Sequence, residues 1–438
     1  MTTLEPTTVA TARAGALMTL GLLLLGLVPW PESLSLISSA VENARSAELN
    51  RADREVESAG YYEGLIGGGD GPHGSRSELS LRLMGKPSGW IRFQDANVAL
   101  PIPDDFLQFE LRPNVRRSLF GKPFQTNSHG MPGAELSFAK PSNTFRIATL
   151  GSSMDMGWGV ASEETYNSRL ETWLNSHNKL RGLDRDDTSR NFQVMNFAVA
   201  AYSPLQRLEA YHRKARRFQP DLVLYAATML DTRLLEIHLC DMLRSRVDLK
   251  YDFLKKIVEQ AGITERDLTL DSKGELVYKP EIKAKMEPYK WTLYDATLGR
   301  LAEECRMEGT ALAVVIIPRV GKADAPEARA EPVARLKAIA AHHGLNVYDL
   351  SATFDRFDPA SLEIAAWDDH PNALGHQRLF LALARAISKD RSTYDLLFPE
   401  NSPVQSHPGD SAEPLANPSL ESNSLDPVTG SISDYRTP

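Results

Sequence analysis

The stretch LGSSMDMGWGV, residues 150–160, follows directly on the apolar run FRIAT, residues 145–149. A short strand therefore runs straight into two small hydroxyl residues and a loop with two further glycines. Gly151 lets the chain turn sharply, since glycine alone tolerates unusual backbone angles freely. Ser153 then stands just beyond the strand end. A nucleophilic serine needs exposure, a base within hydrogen-bond reach, and donors for a developing oxyanion. The N–H of Ser153 itself can serve as one such donor. The plain alternative is a serine that only caps a turn or helix, and this stretch alone does not choose between them.

The far end of the chain bears on the choice. In AAWDDHPNALGHQRLFLALARAI, residues 365–387, Asp368 lies two positions before His370 in a polar segment that leads into a helix. Asn372 suits the cap of that helix. Asp368 can reach one ring nitrogen of His370, fix its tautomer and stabilise the imidazolium formed in acyl transfer. Asp369 is the weaker candidate, because adjacent side chains on extended backbone point apart. Taken alone, the segment also reads as a capped helix beside a surface histidine.

Between these ends the chain alternates. Strands are expected at 145–151, 192–202, 220–230, 311–318 and 345–351. Helices are expected at 164–178, 204–218, 292–309, 331–344 and 372–388. Alternation of this kind means a parallel sheet covered on both faces. Its ligand crevice lies at the carboxyl ends of the strands. The loops after Leu150, Phe197 and Leu230 and the segment before His370 should then converge. A helix-rich stretch at 234–291 suits a lid or one wall. Upstream, residues 78–130 read as a small, partly β accessory region. From Pro399 the chain is rich in Ser, Pro, Asn and Asp and reads as disordered.

The run AGALMTLGLLLLGLVPWP, residues 14–31, carries no charge. Arg13 precedes it, and Trp30 sits where an interfacial aromatic belongs. The reading preferred is an uncleaved signal anchor with the body outside the membrane, over a cleaved signal peptide or a buried helix. The net charge of −8 argues against a nucleic-acid partner, which calls for a basic surface. Cys240 and Cys305 lack metal-site spacing; they read either as one disulfide or as two separate buried thiols.

Four segments in order, GSSMDMGWGV (151–160), VMNFAVAAYSP (194–204), PDLVLYAATMLD (220–231) and DDHPNALGH (368–376), resemble the four blocks of the SGNH (GDSL-type) hydrolase family. FQTNSHGMPGAE, residues 124–135, is similar to a lead-in segment of bacterial members. The resemblance spans Arg146 to Ser388. It implies an α/β, three-layer flavodoxin-like domain with a central parallel sheet, here at 141–392. Before that domain come a membrane segment at 1–35 and a linker helix with the accessory region at 36–140; a disordered tail at 393–438 follows it.

The resemblance also implies a serine esterase with nucleophile Ser153, base His370 and acid Asp368, needing no metal or cofactor. Its substrates would be acyl esters or acylated carbohydrates. The oxyanion donors would be the N–H groups of Ser153 and of Ala201, which replaces the usual glycine. The third block departs from the family: its donor asparagine aligns with Leu230, which cannot donate. Thr228 or a residue from 234–291 is the candidate substitute. Without one, loss of a donor costs about 3–4 kcal/mol of transition-state stabilisation. An acyltransferase acting on exopolysaccharide, or an impaired module that only binds glycan or protein, is the alternative. His376 and His129 read as structural.

Overall fold

A computed structural model describes residues 93, 96–180, 190–272, 274–321, 325–365 and 368–399. The apolar run at 14–31, the linker up to residue 92 and the segment from residue 400 lie outside the described residues. Among those described, no helix is long and apolar enough to cross a membrane.

The accessory region consists of two short antiparallel pairs, β1 (Ala99–Pro101) with β2 (Phe109–Leu111) and β3 (Arg116–Leu119) with β4 (Lys122–Gln125). The main body is one five-stranded parallel sheet of β5 (Thr144–Leu150), β6 (Asn191–Asn196), β7 (Leu222–Ala227), β8 (Ala311–Ile316) and β9 (Asn346–Asp349), in the order β6-β5-β7-β8-β9. Numbered within the sheet alone this is 2-1-3-4-5, the flavodoxin-like order. The central strand β7 is buried at every position, as a parallel strand covered on both faces must be.

Side chains alternate between two cores. On one face Ala148, Leu150, Val223, Tyr225, Val314 and Ile316 pack against α3 (Pro204–Arg213), α4 (Asp231–Arg244), α5 (Asp252–Gln260), α6 (Lys279–Met286), α7 (Lys290–Met307) and α8 (Pro326–His342). On the other, Ile147, Leu222, Leu224, Ala226 and Val315 pack against α2 (Tyr166–Leu180), α10 (Ala373–Lys389) and α11 (Arg391–Leu397). The period-2 geometry of a strand is what sorts these neighbours to opposite sides.

Two boundaries differ from the sequence reading. The packed body runs beyond residue 392: Asp390 caps α11, and Leu397 and Phe398 are buried against β6 and α2 neighbours. The apolar pair at the end of α11 was outweighed in the sequence by the polar residues around it. The segment before His370 is not a loop but β11 (Asp368–Pro371), paired antiparallel with β10 (Glu363–Ala365), which follows the one-turn helix α9 (Pro359–Leu362). Cys240 and Cys305 are both free and buried, and burial pushes each thiol up to about 12.

The accessory region packs on the rim at the carboxyl ends of the strands. Phe93, Val98, Leu107 and Phe109 join one core with Met156 and Trp158 after β5, Ala198 to Tyr202 after β6, and Leu234 on α4. Hydrogen bonds to backbone carbonyls help to fasten it there. Tyr202 Oη donates to the Phe109 carbonyl, Gln206 Nε2 to that of Leu107, and His238 Nε2 to that of Phe106, each at 2.8 Å.

Candidate active site

Ser153 opens α1 (Ser153–Met156), the single turn that follows β5. Being first in its helix, it has an N–H with no intrahelical acceptor. The turn is held from below by Asp155, whose buried carboxylate accepts the Ser152 N–H at 2.8 Å and the Tyr166 hydroxyl at 2.7 Å. Burial, the largest influence, leaves the Asp155 carboxyl above its ordinary range despite these donors. The same carboxylate explains Gly151. A Cβ on Gly151 would lie 2.1 Å from Asp155 Oδ2, whereas its φ is not among the positive values. The glycine is needed for this close approach, not for the turn freedom that the sequence suggested.

The hairpin of β10 and β11 presents His370. Residues i and i+2 on a strand share a face, so Asp368 and His370 meet while Asp369 turns away to pair with Arg319. His370 Nδ1 lies 2.5 Å from Asp368 Oδ1, and His370 Nε2 lies 2.7 Å from Ser153 Oγ. Asp368 is acceptor-only when ionised, so Nδ1 carries the proton and donates. Nε2 of the neutral ring is then the acceptor for the Ser153 hydroxyl. Burial opposes the imidazolium, but the Asp368 charge and hydrogen bond outweigh it and hold the His370 pKa above 6.5. Burial likewise works against ionised Asp368, and His370 together with its N–H donors carries the carboxyl below its ordinary value.

One member of this cluster was not singled out from the sequence. Trp158 Nε1 donates to the second oxygen, Asp368 Oδ2, at 3.1 Å. Its indole is buried, with Phe93 and Phe120 packed edge-on at 5.6 and 5.0 Å. The tryptophan stands five residues after Ser153, within the opening stretch, but nothing local says that its N–H faces an acid 210 positions away. A buried indole needs a hydrogen-bond acceptor, and that is the only signal available to sequence reasoning.

The structure also places the remaining candidates. Ala201 has φ +65°, a left-handed conformation that favours glycine. Among the described residues no backbone acceptor meets its N–H. Leu230 caps α4 without a side-chain hydrogen bond and packs half-buried in the rim core. Thr228 Oγ1 donates its one proton to Asp231 Oδ1 at 2.9 Å. The Thr228 hydroxyl is thus committed to the buried pair that Asp231 forms with Arg207, both bonds at 2.8 Å. That removes it as a substitute oxyanion donor in this arrangement, because a hydroxyl has one hydrogen.

His376 is buried. Its Nδ1 accepts the Tyr166 N–H at 3.3 Å, and burial holds its pKa at about 3. His129 Nε2 donates to the Leu136 carbonyl at 2.8 Å.

No family model matches the chain, and no curated protein does. Among solved structures, the chain is similar to TesA at 12% identity, over 55% of this chain and 97% of that one, with a TM-score of 0.34. It is similar to Axe2, an acetylxylan esterase from Geobacillus stearothermophilus, at 16% identity over 56% and 94%, with a TM-score of 0.34. It is also similar to a lipolytic protein of the G-D-S-L family from Desulfitobacterium hafniense, at 9% identity over 55% and 98%, with a TM-score of 0.33.

Proposed function

We propose that the chain is a serine hydrolase acting on ester bonds, with Ser153 as nucleophile, His370 as general base and Asp368 as its orienting acid. The observation that carries this reading is the unbroken line of hydrogen bonds from Ser153 Oγ to His370 at 2.7 Å and from His370 to Asp368 at 2.5 Å. His370 Nε2 takes the hydroxyl proton as Oγ attacks the ester carbonyl. The imidazolium, steadied by Asp368, returns that proton to the departing alcohol. Water, activated by the same imidazole, then releases the acid. The N–H groups of Ser153 and Ala201 are the donors assigned to the oxyanion.

The substrate proposed is an acyl ester on carbohydrate. The uncharged run at 14–31 supports attachment to a membrane, with the catalytic body outside the cytoplasm and O-acetylated surface or exported polysaccharide within reach. The half-buried Leu230 in the donor position favours, as second reading, a slow or non-catalytic relative that binds such a glycan.

Hydrolysis of p-nitrophenyl acetate by the purified protein decides between the two. The Ser153→Ala variant is expected to lose activity by about a thousandfold or more. Wild type and variant equally inert across short and long acyl esters would reject the esterase reading. Product analysis with and without an acceptor glycan separates hydrolysis from acyl transfer.

A further inference from the structure

A second cluster of chemistry-bearing side chains lies away from the candidate active site, where the carboxyl end of α8 meets the middle of α7. His342 ends α8 and His343 caps it. Asp295 faces them from α7. His343 Nε2 lies 2.7 Å and His342 Nδ1 3.3 Å from the same oxygen, Asp295 Oδ1. One nitrogen of each ring and a carboxylate oxygen of Asp295 all fall within 4.8 Å of one another. From this geometry we infer a binding site for a divalent transition-metal ion of the zinc type, with Asp295, His342 and His343 as three ligands and solvent completing the shell.

Spacing, seat and field support it. Ligands about 2.0–2.1 Å from a tetrahedral ion stand about 3.3 Å apart; His342 Nδ1 already stands 3.3 Å from Asp295 Oδ1, and His343 Nε2, at 2.7 Å, has only to move back by about 0.6 Å. Imidazole with a single carboxylate is the donor set that zinc and its neighbours favour over magnesium or calcium. The seat is shaped for the ring. A Cβ on Gly299, one turn along α7 from Asp295, would meet His343 Cε1 at 2.5 Å and Nε2 at 3.0 Å. Glycine inside a helix is less favourable than alanine, and here it lets the imidazole lie against the helix backbone. The ligands also gather at the carbonyl end of α8, where the helix dipole favours positive charge. The side chains of His342, Asp295 and His343 are 69%, 34% and 20% exposed, so an ion can enter from solvent. Bound there, it ties α7 to α8.

Isothermal titration with zinc chloride on the full-length, EDTA-treated protein tests the site, with the melting temperature read alongside. Wild type should take up one ion in the micromolar range and melt at higher temperature with zinc than without it. Exposed His342 can be replaced without disturbing the fold. The His342→Ala and Asp295→Asn variants should each bind at least about tenfold more weakly and lose the thermal shift. Ser153→Ala should bind as wild type does. Absence of zinc uptake by wild type, or uptake unchanged in both ligand variants, overturns the assignment and leaves the cluster a hydrogen-bonded helix clasp.

Discussion

At Asp368 the two carboxylate oxygens have different partners: one accepts from His370 and the other from Trp158. Removing the indole N–H while keeping an aromatic ring isolates the second contact. Trp158→Phe should lower kcat about tenfold, the scale of one hydrogen bond to a charged group, and leave KM within about twofold. With one donor fewer, Asp368 becomes the stronger acceptor, and the acid limb of the pH–rate profile should move upward. A tryptophan that only packs would alter neither kcat nor that limb. The wild-type limb has its own direction. His370 must be neutral to accept a proton, and its pKa lies above 6.5, so the rate should rise with pH through a midpoint above that value. Ser153, His370 and Asp368 were legible as candidates because acyl transfer restricts residue type and because the segments that hold them resemble, in order, the blocks of a known hydrolase family. Trp158 was not, since an indole N–H announces no partner.

Among the elements, the β5–α1 turn and the β10–β11 hairpin bring the two ends of the triad together. The turn depends on the Asp155 carboxylate filling the space that a side chain on Gly151 would take. Gly151→Ala should therefore displace Asp155, leave the Ser152 N–H without its buried acceptor, and cost about 2–4 kcal/mol in urea denaturation, with esterase activity falling in parallel. An unchanged unfolding midpoint would refute this account of the turn. The hairpin shows why the pattern of acid, any residue, histidine can operate: alternation on a strand returns the side chain at i+2 to the same face. Sequence reading made this segment a loop, because a strand of four residues (Asp368–Pro371) with two acids carries no apolar alternation to detect.

For the molecule as a whole, burial makes stability depend on pH. His238 and His376 are each 1% exposed, with pKa values held by burial at about 4 and about 3. Between those values and 6.5 the unfolded chain binds more protons at these positions than the folded one, so stability rises with pH there. At pH 5 each histidine should cost about 2 kcal/mol relative to pH 7, read as a lower urea midpoint. His370 works in the opposite sense. Its raised pKa adds stability below 6.5 that is lost as pH climbs through the folded value. A midpoint that is flat or higher at pH 5 would contradict the burial of the pair. His238 also ties the accessory region to α3 and α4, through the Phe106 carbonyl at one nitrogen and Ser203 Oγ, 2.8 Å from the other.

What the sequence determined by itself was the alternation of strands and helices, and with it a parallel sheet with its crevice at the carboxyl ends, because periodicity and the rule for crossover connections are local properties. It also nominated a serine, a histidine and an acid for that crevice. The tertiary structure alone decided that Trp158 holds the far oxygen of Asp368, that Thr228 is spent on Asp231, and that the accessory strands cover the rim. Each of those outcomes depends on which groups are left facing one another once the chain has packed, and chain-distant contacts of that kind leave no periodic trace in the order of residues.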